Sequence, residues 1–321
     1  MAACGSSGGA STQAPTVTGL SNTADVSHVT LRIGDQAGTG AQALLKAAGL
    51  LDKLPFKATW SDFTSGPPML QALSAGALDL GGVGNAPPVF AAAGGAKIAV
   101  VGAFANNPNS GALLVPKGSP ITSLSQLKGK KIAVAQGSSA DYHLISVLRK
   151  AGLGVHDVSL VYLQPAAGLS ALNSGNVDAW DVWSPFIEEA SILHGAHVLV
   201  NENGVGGNNS YVVAAASALG DSAKANAIRD YLRLLDQAHV WADRHPGAWA
   251  AQWAQATGLP MSVMVPAAKD NTSKPVAVDA TITAAEQGVV DTFSSAGLIP
   301  TRYSFGKFVT SAFNSAVVGG S

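Results

Sequence analysis

Cysteine, charge and long apolar runs are all scarce in this chain. One cysteine is present among 321 residues, so no disulfide can form within the chain. Charged residues make up 12% and the formal net charge is −1, without any block of Lys or Arg that would suit nucleic acid. No window approaches 18 consecutive apolar residues without a glycine or polar break, which excludes a transmembrane helix.

Motifs for catalysis, cofactors and metals are also missing. There is no GxxxxGK[ST] phosphate loop, no GxGxxG after a strand and no HExxH pair. His194 and His197 flank a predicted helix end, where solvated side chains are common. Ser139, Asp141 and His143 fall on one helical turn without the GxSxG elbow of a hydrolase, so we interpret them as chance neighbours. The sequence therefore predicts a protein that is not an enzyme and holds no cofactor or metal.

The residues that are plentiful indicate α/β architecture. Apolar residues make up 47% of the chain, and its length suffices for two domains of ordinary size. Short strand-like and helix-like segments alternate from residue 29 to about 101, and again from about 112 to 182. This alternation predicts βαβ units and mainly parallel sheets covered by helices. Beyond residue 213 the chain is predicted to be mostly helical, over 223–244, 248–257 and 283–296.

An internal repeat supports a division into two lobes. Leu70-x2-Leu73-x2-Gly76-x2-Asp79 matches Leu169-x2-Leu172-x2-Gly175-x2-Asp178 position for position. Each copy predicts a helix stopped by glycine and a strand entered through aspartate, followed by a helix that a proline opens. Two such copies about a hundred residues apart predict two similar α/β lobes rather than one large sheet.

The single cysteine lies in a segment typical of bacterial lipoproteins. Cys4 follows two alanines, and a Ser/Thr/Gly/Ala-rich stretch continues to about residue 27. Small residues before a cysteine and a tether after it are typical of a lipoprotein cleavage site, whose charged and apolar parts would lie upstream of Met1. We therefore predict a flexible linker over 1–27 and a lipid anchor on Cys4. The alternative interpretation is a chance cysteine in a flexible tail.

Several turns between predicted strands and helices are rich in glycine, serine and threonine, at 38–40, 64–67, 84–87 and 136–139. A helix N-terminus offers unpaired N–H groups and the positive end of its dipole, so it attracts anions. Ligands of open α/β sheets bind at the carboxyl ends of strands, where these turns fall. Four such turns, divided between two lobes, predict a ligand held in the cleft.

The tryptophans divide between core and cleft. Trp180 and Trp183 lie on opposite faces of one predicted strand. Trp183 is next to the turn before Pro185, so we expect it at the cleft and Trp180 in the core. Trp249 and Trp253 are four residues apart on a helix, a spacing that predicts core packing.

A further set of segments spans residues 29 to 257. They are Gly34-x-Gln36 with Gly38-Thr39, Ser65-Gly66-Pro67-x2-Leu70, Gly84-x-Ala86-Pro87-Pro88, Val115-Pro116-Lys117-x-Ser119-Pro120-Ile121, Leu127-Lys128-Gly129-Lys130-Lys131, Gly137-Ser138-Ser139-Ala140-x-Tyr142 and Val177-Asp178-Ala179-Trp180-x2-Trp183-x-Pro185-Phe186. Each is weak alone, but the combination is specific. With them, about two-thirds of the chain resembles the substrate-binding proteins of nitrate, sulfonate and taurine ABC importers, above all the aliphatic sulfonate-binding type.

The resemblance implies a type II periplasmic-binding-protein fold, which is an α/β fold of two lobes with the ligand in the interlobe cleft. Two crossing strands join the lobes, and they are expected here at 112–115 and 211–214. Lobe one is expected to comprise 28–111 and 215–321, and lobe two 112–214. The implied ligand contacts are Gln36, Thr39, Gly66, Pro67, Asn85, Ser110, Ser138, Ser139, Tyr142 and Trp183. The implied partners are a small anionic organosulfonate and the importer's membrane permease subunits, for an extracytoplasmic monomer that binds no nucleic acid. A sulfonate stays anionic and offers three acceptor oxygens, so it needs donors rather than a proton-transferring base.

Three positions depart from the family's pattern. Asn85 and Ser184 each stand where an acid is usual, and Asp141 stands where histidine is common. Loss of two carboxylates removes partners for a substrate ammonium, so unaminated sulfonates are favoured over taurine. Asp141 is interpreted as a first-turn partner of the helix dipole that points away from the ligand.

Alternatives remain open inside and outside this class. Within it, the ligand could be taurine, nitrate, an aromatic sulfonate or a pyrimidine precursor of thiamine. The same fold serves as the effector domain of LysR-type regulators, which needs an N-terminal helix-turn-helix where residues 1–27 read as a linker. The related pyrimidine-precursor synthases employ a cysteine-rich segment, and Cys4 is the only cysteine here.

Overall fold

The computed structural model describes residues 15–36, 40–205 and 209–317, so Cys4 and Thr39 lie outside the described residues. The strands are β1 Thr30–Gln36, β2 Lys57–Phe63, β3 Leu80–Gly84, β4 Ile98–Asn106, β5 Gly111–Val115, β6 Lys131–Val134, β7 Ser159–Tyr162, β8 Ala179–Trp183, β9 His197–Asn201, β10 Asn209–Ala215 and β11 Ser273–Val276. The α-helices are α1 Ala41–Ala47, α2 Gly66–Ser74, α3 Ala86–Ala93, α4 Ser139–Lys150, α5 Pro165–Asn173, α6 Phe186–His194, α7 Ala216–Gly220, α8 Ser222–Arg244, α9 Pro246–Thr257, α10 Met261–Asp270, α11 Ala280–Ser295 and α12 Asn314–Val317. Across these three ranges, none of the helices is long and apolar enough to span a bilayer.

The strands form two separate mixed sheets, one in each lobe. Lobe one contains the six-stranded sheet β11-β4-β10-β3-β1-β2, and lobe two the five-stranded sheet β7-β6-β8-β5-β9. In lobe one β1 pairs in parallel with β2 and β3, and in lobe two β6 does so with β7 and β8. The next strand in each sheet, β10 or β5, is antiparallel and arrives by a crossing from the other lobe. This arrangement is the predicted type II periplasmic-binding-protein fold.

The crossings lie just outside the strands that the sequence assigned to them. β4 ends at Asn106 in lobe one and β5 begins at Gly111 in lobe two, while β9 ends at Asn201 and β10 begins at Asn209. The sequence placed residues up to 214 in lobe two, whereas β10 pairs along its length with β3 and β4 of lobe one. The apolar side chains of this strand complete the lobe-one core. We therefore propose lobe boundaries between β4 and β5 and between β9 and β10.

The internal repeat makes the same connection in both lobes. The Asp79 N–H donates to the Arg32 carbonyl at 2.8 Å, and the Asp79 carboxylate accepts from the Arg32 N–H at 2.8 Å. Asp178 makes the same two bonds to Lys131, again at 2.8 Å each. The repeat aspartate therefore fixes the central strand of each lobe, β3 or β8, to its parallel neighbour, β1 or β6.

The described part of the predicted linker, residues 15–27, packs against lobe one instead of standing free. The Ser21 N–H donates to Asn226 Oδ1 at 2.8 Å, and Asn226 Nδ2 donates to the Gly19 carbonyl at 2.9 Å, while Val26 is buried. The polar composition concealed these contacts because Asn226 supplies side-chain partners for the backbone from a helix some 200 residues away in sequence.

The tryptophans follow their predicted division. Trp180 and Trp253 are fully buried, and Trp249 stacks on Trp253 with ring centroids 5.0 Å apart. Gly168 of α5 lies directly over Trp180, since a Cβ at that position would be 2.4 Å from the indole nitrogen. Trp183 remains partly accessible at the end of β8.

We expect Asp79→Ala to destabilise the protein more than Asp178→Ala does. Besides the backbone bonds, Asp79 accepts from the Arg32 guanidinium and from Lys224 Nζ, each at 2.8 Å. A hydrogen bond to a charged group contributes about 1.5–3 kcal/mol, and Asp79→Ala loses several such bonds where Asp178→Ala loses one. Urea denaturation of both variants measures the difference in the free energy of unfolding.

The difference in the free energy of unfolding between these two variants should also depend on pH. Burial acts to raise the pKa of Asp79, but the hydrogen bonds from Arg32 and Lys224 outweigh it and hold the pKa below the ordinary 3.8. The carboxylate therefore stabilises the fold fully above that value, and its contribution is lost as the pH falls below it. Equal losses in the two variants at neutral pH would contradict this account.

Candidate ligand-binding site

A small cavity of about 160 Å³ lies between the lobes. Lobe one contributes Asp35, Gln36, Ala41, Leu44, Gly66, Gly82, Val83, Gly84, Pro87, Phe104, Asn106, Asn209, Ser210, Tyr211, Val212, Tyr231, Leu235, His239, Asn271 and Ser273. Lobe two contributes Ser138, Ser139, Trp183 and Ser184, and the crossings contribute Ser110 and Glu202. The volume is below the roughly 300–1,000 Å³ of pockets for drug-sized ligands, so it fits a small molecule.

The start of α4 brings hydrogen-bond donors to this cavity. Ser138 caps the helix, its Oγ accepting from the Asp141 N–H at 3.3 Å. Gly137 before it has a φ of +70°, a conformation that favours glycine, and its N–H donates to Asp141 Oδ2 at 2.8 Å. The N–H groups of Ser139 and Ala140 have no acceptor within the helix because they belong to its first turn. A twelve-residue helix thus presents free N–H groups and the Ser139 hydroxyl beside the cavity.

The other helix starts near the cleft have fewer donors to offer. α2 and α3 carry proline pairs at 67–68 and 87–88, which remove two first-turn N–H groups from each helix. At α1 the buried Asp35 carboxylate already accepts from the N–H groups of Ala41 and Gln42, both at 2.9 Å. Of the helix starts at the predicted turns, α4 therefore has the most N–H groups available to an anion.

Lobe one supplies a polar wall opposite α4. Gln36 Nε2 donates to the Gly82 carbonyl at 3.0 Å, which fixes the amide at the end of β1. Asn106 Oδ1 accepts from the hydroxyls of Ser210 and Ser273 at 3.0 and 2.8 Å. These four side chains come from four strands of one sheet and line the same cavity.

The described lining of the cavity contains no Lys or Arg. Burial lowers the pKa of His239 to about 4, so its imidazole is neutral at physiological pH. Across the described ranges, no group of three or more His, Cys, Asp or Glu residues could hold a metal ion. An anion in this cavity would therefore be held by neutral donors and by the dipole of α4 rather than by a cationic side chain.

The lobes touch at several points around the cavity. Gln164 Oε1, at the start of α5, accepts from the hydroxyls of Thr64 and Ser65 in lobe one, both at 2.9 Å. Gly84 lies against Ser139, since a Cβ at position 84 would be 2.6 Å from Ser139 Oγ and 2.9 Å from Ser139 Cβ. These contacts leave no room for a larger residue where β3 meets the start of α4.

Six of the predicted contact residues line the cavity: Gln36, Gly66, Ser110, Ser138, Ser139 and Trp183. Pro67, Asn85 and Tyr142 do not line it. Pro67 faces an outer groove between α2 and α3, and Asn85 is buried at the start of α3. Tyr142 lies one turn beyond Ser139 and points toward Phe293 of α11, with ring centroids 6.1 Å apart. Thr39 lies outside the described residues.

The side chains of Asp141 and Ser184, which depart from the family's pattern, already make hydrogen bonds within lobe two. The Asp141 carboxylate is buried and turned back to Gly137, and burial raises its pKa to about 7. The Ser184 hydroxyl donates to Glu188 Oε1 at 2.8 Å. Sequence reasoning missed the acids Asp35 and Glu202. Asp35 had a signal, since it lies between a predicted strand and a glycine-rich turn, but Glu202 had none.

Two α/β lobes joined by two crossings, with a small polar cavity between them, define a two-lobed solute-binding protein. The profile described as NMT1/THI5 like matches residues 65–248, and the chain belongs to this family. It is 35% identical over 286 residues to an aliphatic sulfonates-binding protein of Escherichia coli strain K12, covering 87% of this chain and 88% of that one.

Two solved structures are similar to the whole fold. The alkanesulfonate-binding protein SsuA from Xanthomonas axonopodis pv. citri bound to MOPS has a TM-score of 0.81 at 32% identity, covering 88% of this chain and 99% of that one. The periplasmic aliphatic sulphonate-binding protein SsuA from Escherichia coli has a TM-score of 0.78 at 33% identity, covering 88% and 92%.

We expect Gly84→Ala to weaken ligand binding while leaving each lobe folded. The added methyl group would meet Ser139 Cβ, which the helix backbone holds in place, so the lobes must separate to relieve the contact. Overpacking costs about 1–3 kcal/mol, which corresponds to a roughly 5- to 150-fold higher Kd. Isothermal titration calorimetry measures the Kd.

Gly288→Ala in α11 is the matched control, because no atom lies within 4 Å of a Cβ there. It should leave the Kd unchanged. If Gly84→Ala bound as tightly as the wild type, the contact between β3 and α4 would not belong to the ligand-bound state.

Proposed function

We propose that this protein is the extracytoplasmic receptor of an ABC importer and that it binds alkanesulfonates by closure of its lobes. The observation that carries the proposal is the start of α4, with its free N–H groups and the Ser139 hydroxyl, beside a cavity that no Lys or Arg lines. A sulfonate is ionised at any physiological pH and accepts through three oxygens, which such donors match. Its relatives named for aliphatic sulfonates support the same ligand.

The ligand would contact both lobes at once. Its sulfonate oxygens would accept from Ser139 and Ala140 of lobe two, and its alkyl chain would lie against Trp183. Gln36 and the Asn106 region of lobe one would complete the enclosure. A ligand that contacts both lobes favours the closed arrangement over the open one. No step of this process requires a bond to form or break, so the protein acts as a receptor.

The volume of the cavity limits the length of the alkyl chain that a bound sulfonate can have. A volume of about 160 Å³ accommodates a short chain, and Phe104 and Leu44 provide apolar surface for it. Long-chain and aromatic sulfonates would hold the lobes apart and lose the contacts of Gln164 with Thr64 and Ser65. We therefore favour chains of a few carbons.

The partners and location follow from the receptor class. The closed pair of lobes would present one surface to the permease subunits of the importer. We propose that the protein acts outside the cytoplasm and that Cys4, outside the described residues, carries the lipid that attaches it to the membrane. The alanines before Cys4 and the small polar residues after it support this attachment.

We expect ligand-stripped protein to gain thermal stability with alkanesulfonates of two to four carbons. Binding to the folded state alone adds about 2.7 kcal/mol of stability at a hundredfold excess over Kd. Thermal-shift assays with short and long alkanesulfonates, benzenesulfonate, sulfate, nitrate and a pyrimidine measure this. A shift for nitrate or the pyrimidine alone would overturn the sulfonate and keep the receptor class.

Two variants of α4 test whether the sulfonate that stabilises the protein binds at the start of this helix. Ser139→Ala removes a donor at the cavity and should reduce the shift, because a hydrogen bond to a charged group contributes about 1.5–3 kcal/mol. Ser146→Ala is the control on the same helix, since the Ser146 hydroxyl donates to the Tyr142 carbonyl instead of facing the cavity. Equal shifts in both variants would place the sulfonate away from the start of α4.

A further inference from the structure

Strand β3 contains three glycines among its five residues, although it lies inside the lobe-one sheet. Glycine weakens the interior of a strand, and it often marks a place where another group approaches the backbone closely. Each of these glycines therefore needs a neighbour that explains it.

Packing within the protein explains two of the three glycines. A Cβ at Gly81 would overlap the sulfur of Met69 on α2. A Cβ at Gly84 would lie 2.6 Å from Ser139 Oγ, at the contact between the lobes. Neither position has room for a larger residue.

Gly82 has no neighbour of this kind. None of the described residues has an atom within 4 Å of a Cβ built at Gly82, and this glycine lines the cavity. Its φ lies outside the left-handed region, so alanine could adopt the same backbone conformation. Neither the packing of the described residues nor the backbone therefore requires glycine at this position.

Other positions on the same face of the sheet are covered by side chains. Val212 of β10 pairs with Gly82 of β3 on one side and with Gly102 of β4 on the other. A Cβ at Gly102 would lie 2.8 Å from Leu232 Cδ2, so a leucine of α8 covers that glycine. The open space is thus a local feature of Gly82 and not of the whole face.

The corresponding position in lobe two is also filled. The internal repeat aligns Gly82 of β3 with Asp181 of β8. Asp181 is buried, and its carboxylate lies 2.9 Å from His143 Nδ1. The same strand position therefore carries a packed side chain in lobe two and faces the cavity in lobe one.

Apolar side chains line the cavity together with Gly82. Val212 lies beside it in the sheet, and Leu44 of α1 and Leu235 of α8 also line the cavity. Asp35 lines it too, but the N–H groups at the start of α1 already donate to its carboxylate. This part of the cavity therefore suits an alkyl group.

The distance from the start of α4 to Gly82 is short. Gly82 and Gly84 are two residues apart on one strand, so they share a face of the sheet and lie about 7 Å apart. Gly84 is the residue that contacts Ser139. A sulfonate held beside Ser139 could therefore extend a chain of a few carbons along β3 as far as Gly82.

We propose that the far end of the ligand's alkyl chain lies over Gly82 and that this glycine sets the longest chain that the site accepts. This rests on the proposed function, because α4 holds the sulfonate end of the same ligand. Gly82 is then a specificity-determining residue, since the chain fills the space that a side chain would otherwise take.

The series of alkanesulfonates from one to six carbons measures how far the chain reaches. Calorimetry on wild-type protein should show the Kd falling about fourfold per added carbon up to one longest accepted chain, and rising beyond it. Gly82→Ala should shorten that chain by about one carbon, because the added methyl group takes the place of one carbon of the ligand. For the chain that the wild type binds best, the Kd relative to methanesulfonate should rise at least about fivefold.

The melting temperature of the ligand-free variant separates this effect from a loss of structure. Alanine is more favourable than glycine inside a strand, so Gly82→Ala should melt at or above the wild-type temperature. A lower melting temperature would show that the position is not open and would overturn the inference. Gly247→Ala in α9 is the matched control, since it lies outside the cavity lining and no described atom lies within 4 Å of a Cβ there. It should leave the longest accepted chain unchanged.

Failure of this inference is distinguishable from failure of the proposed function. If the series binds but Gly82→Ala leaves the longest accepted chain unchanged, Gly82 does not set the chain length and the sulfonate receptor stands. If no member of the series binds to the wild type, the proposed function fails, and the inference fails with it.

Discussion

The contact between Gly84 of lobe one and Ser139 at the start of α4 is the constraint on which the site depends. It allows a helix N-terminus of one lobe to approach the strand ends of the other without an intervening side chain. The conformation of Gly137 and the cap of Ser138 orient the start of α4. Because its first turn contains no proline, its N–H groups stay available. Everything proposed about anion binding follows from this approach.

The two lobes that form this contact are built from the same strand arrangement. In both lobes a repeat aspartate fixes the central strand to its parallel neighbour, and a strand from the other lobe pairs on the far side. The crossings that deliver those strands run past the cavity, so Ser110 and Glu202 lie at the site and between the lobes at once. In the proposed function, binding and closure would be coupled through these residues.

Local patterns predicted the lobes and much of one side of the site. The repeat, the glycine-rich turns and the opposite faces of Trp180 and Trp183 are properties of short segments, so they could be read before folding. Tyr142 shows the limit, because helical rotation turns it from the cavity toward Phe293 of α11, a helix far away in sequence.

Residues joined by tertiary contacts could not be predicted in this way. Asn106, Ser210 and Ser273 meet only because β4, β10 and β11 are neighbours in one sheet. β9 and β11 are edge strands, and β11 contains Pro275, a residue that sheets tolerate at their edges and that weakens the strand signal in the sequence. Glu202 reads in the sequence as an ordinary loop acid, and only the crossing places it at the cavity.

The most direct test of the central claim is a crystal structure of the protein with a two- or three-carbon alkanesulfonate. We expect the sulfonate oxygens to lie within hydrogen-bond distance of the N–H groups of Ser139 and Ala140, with Gly84 still in contact with Ser139. A sulfonate bound at the start of α2 or α3, or lobes that remain apart around the ligand, would contradict it.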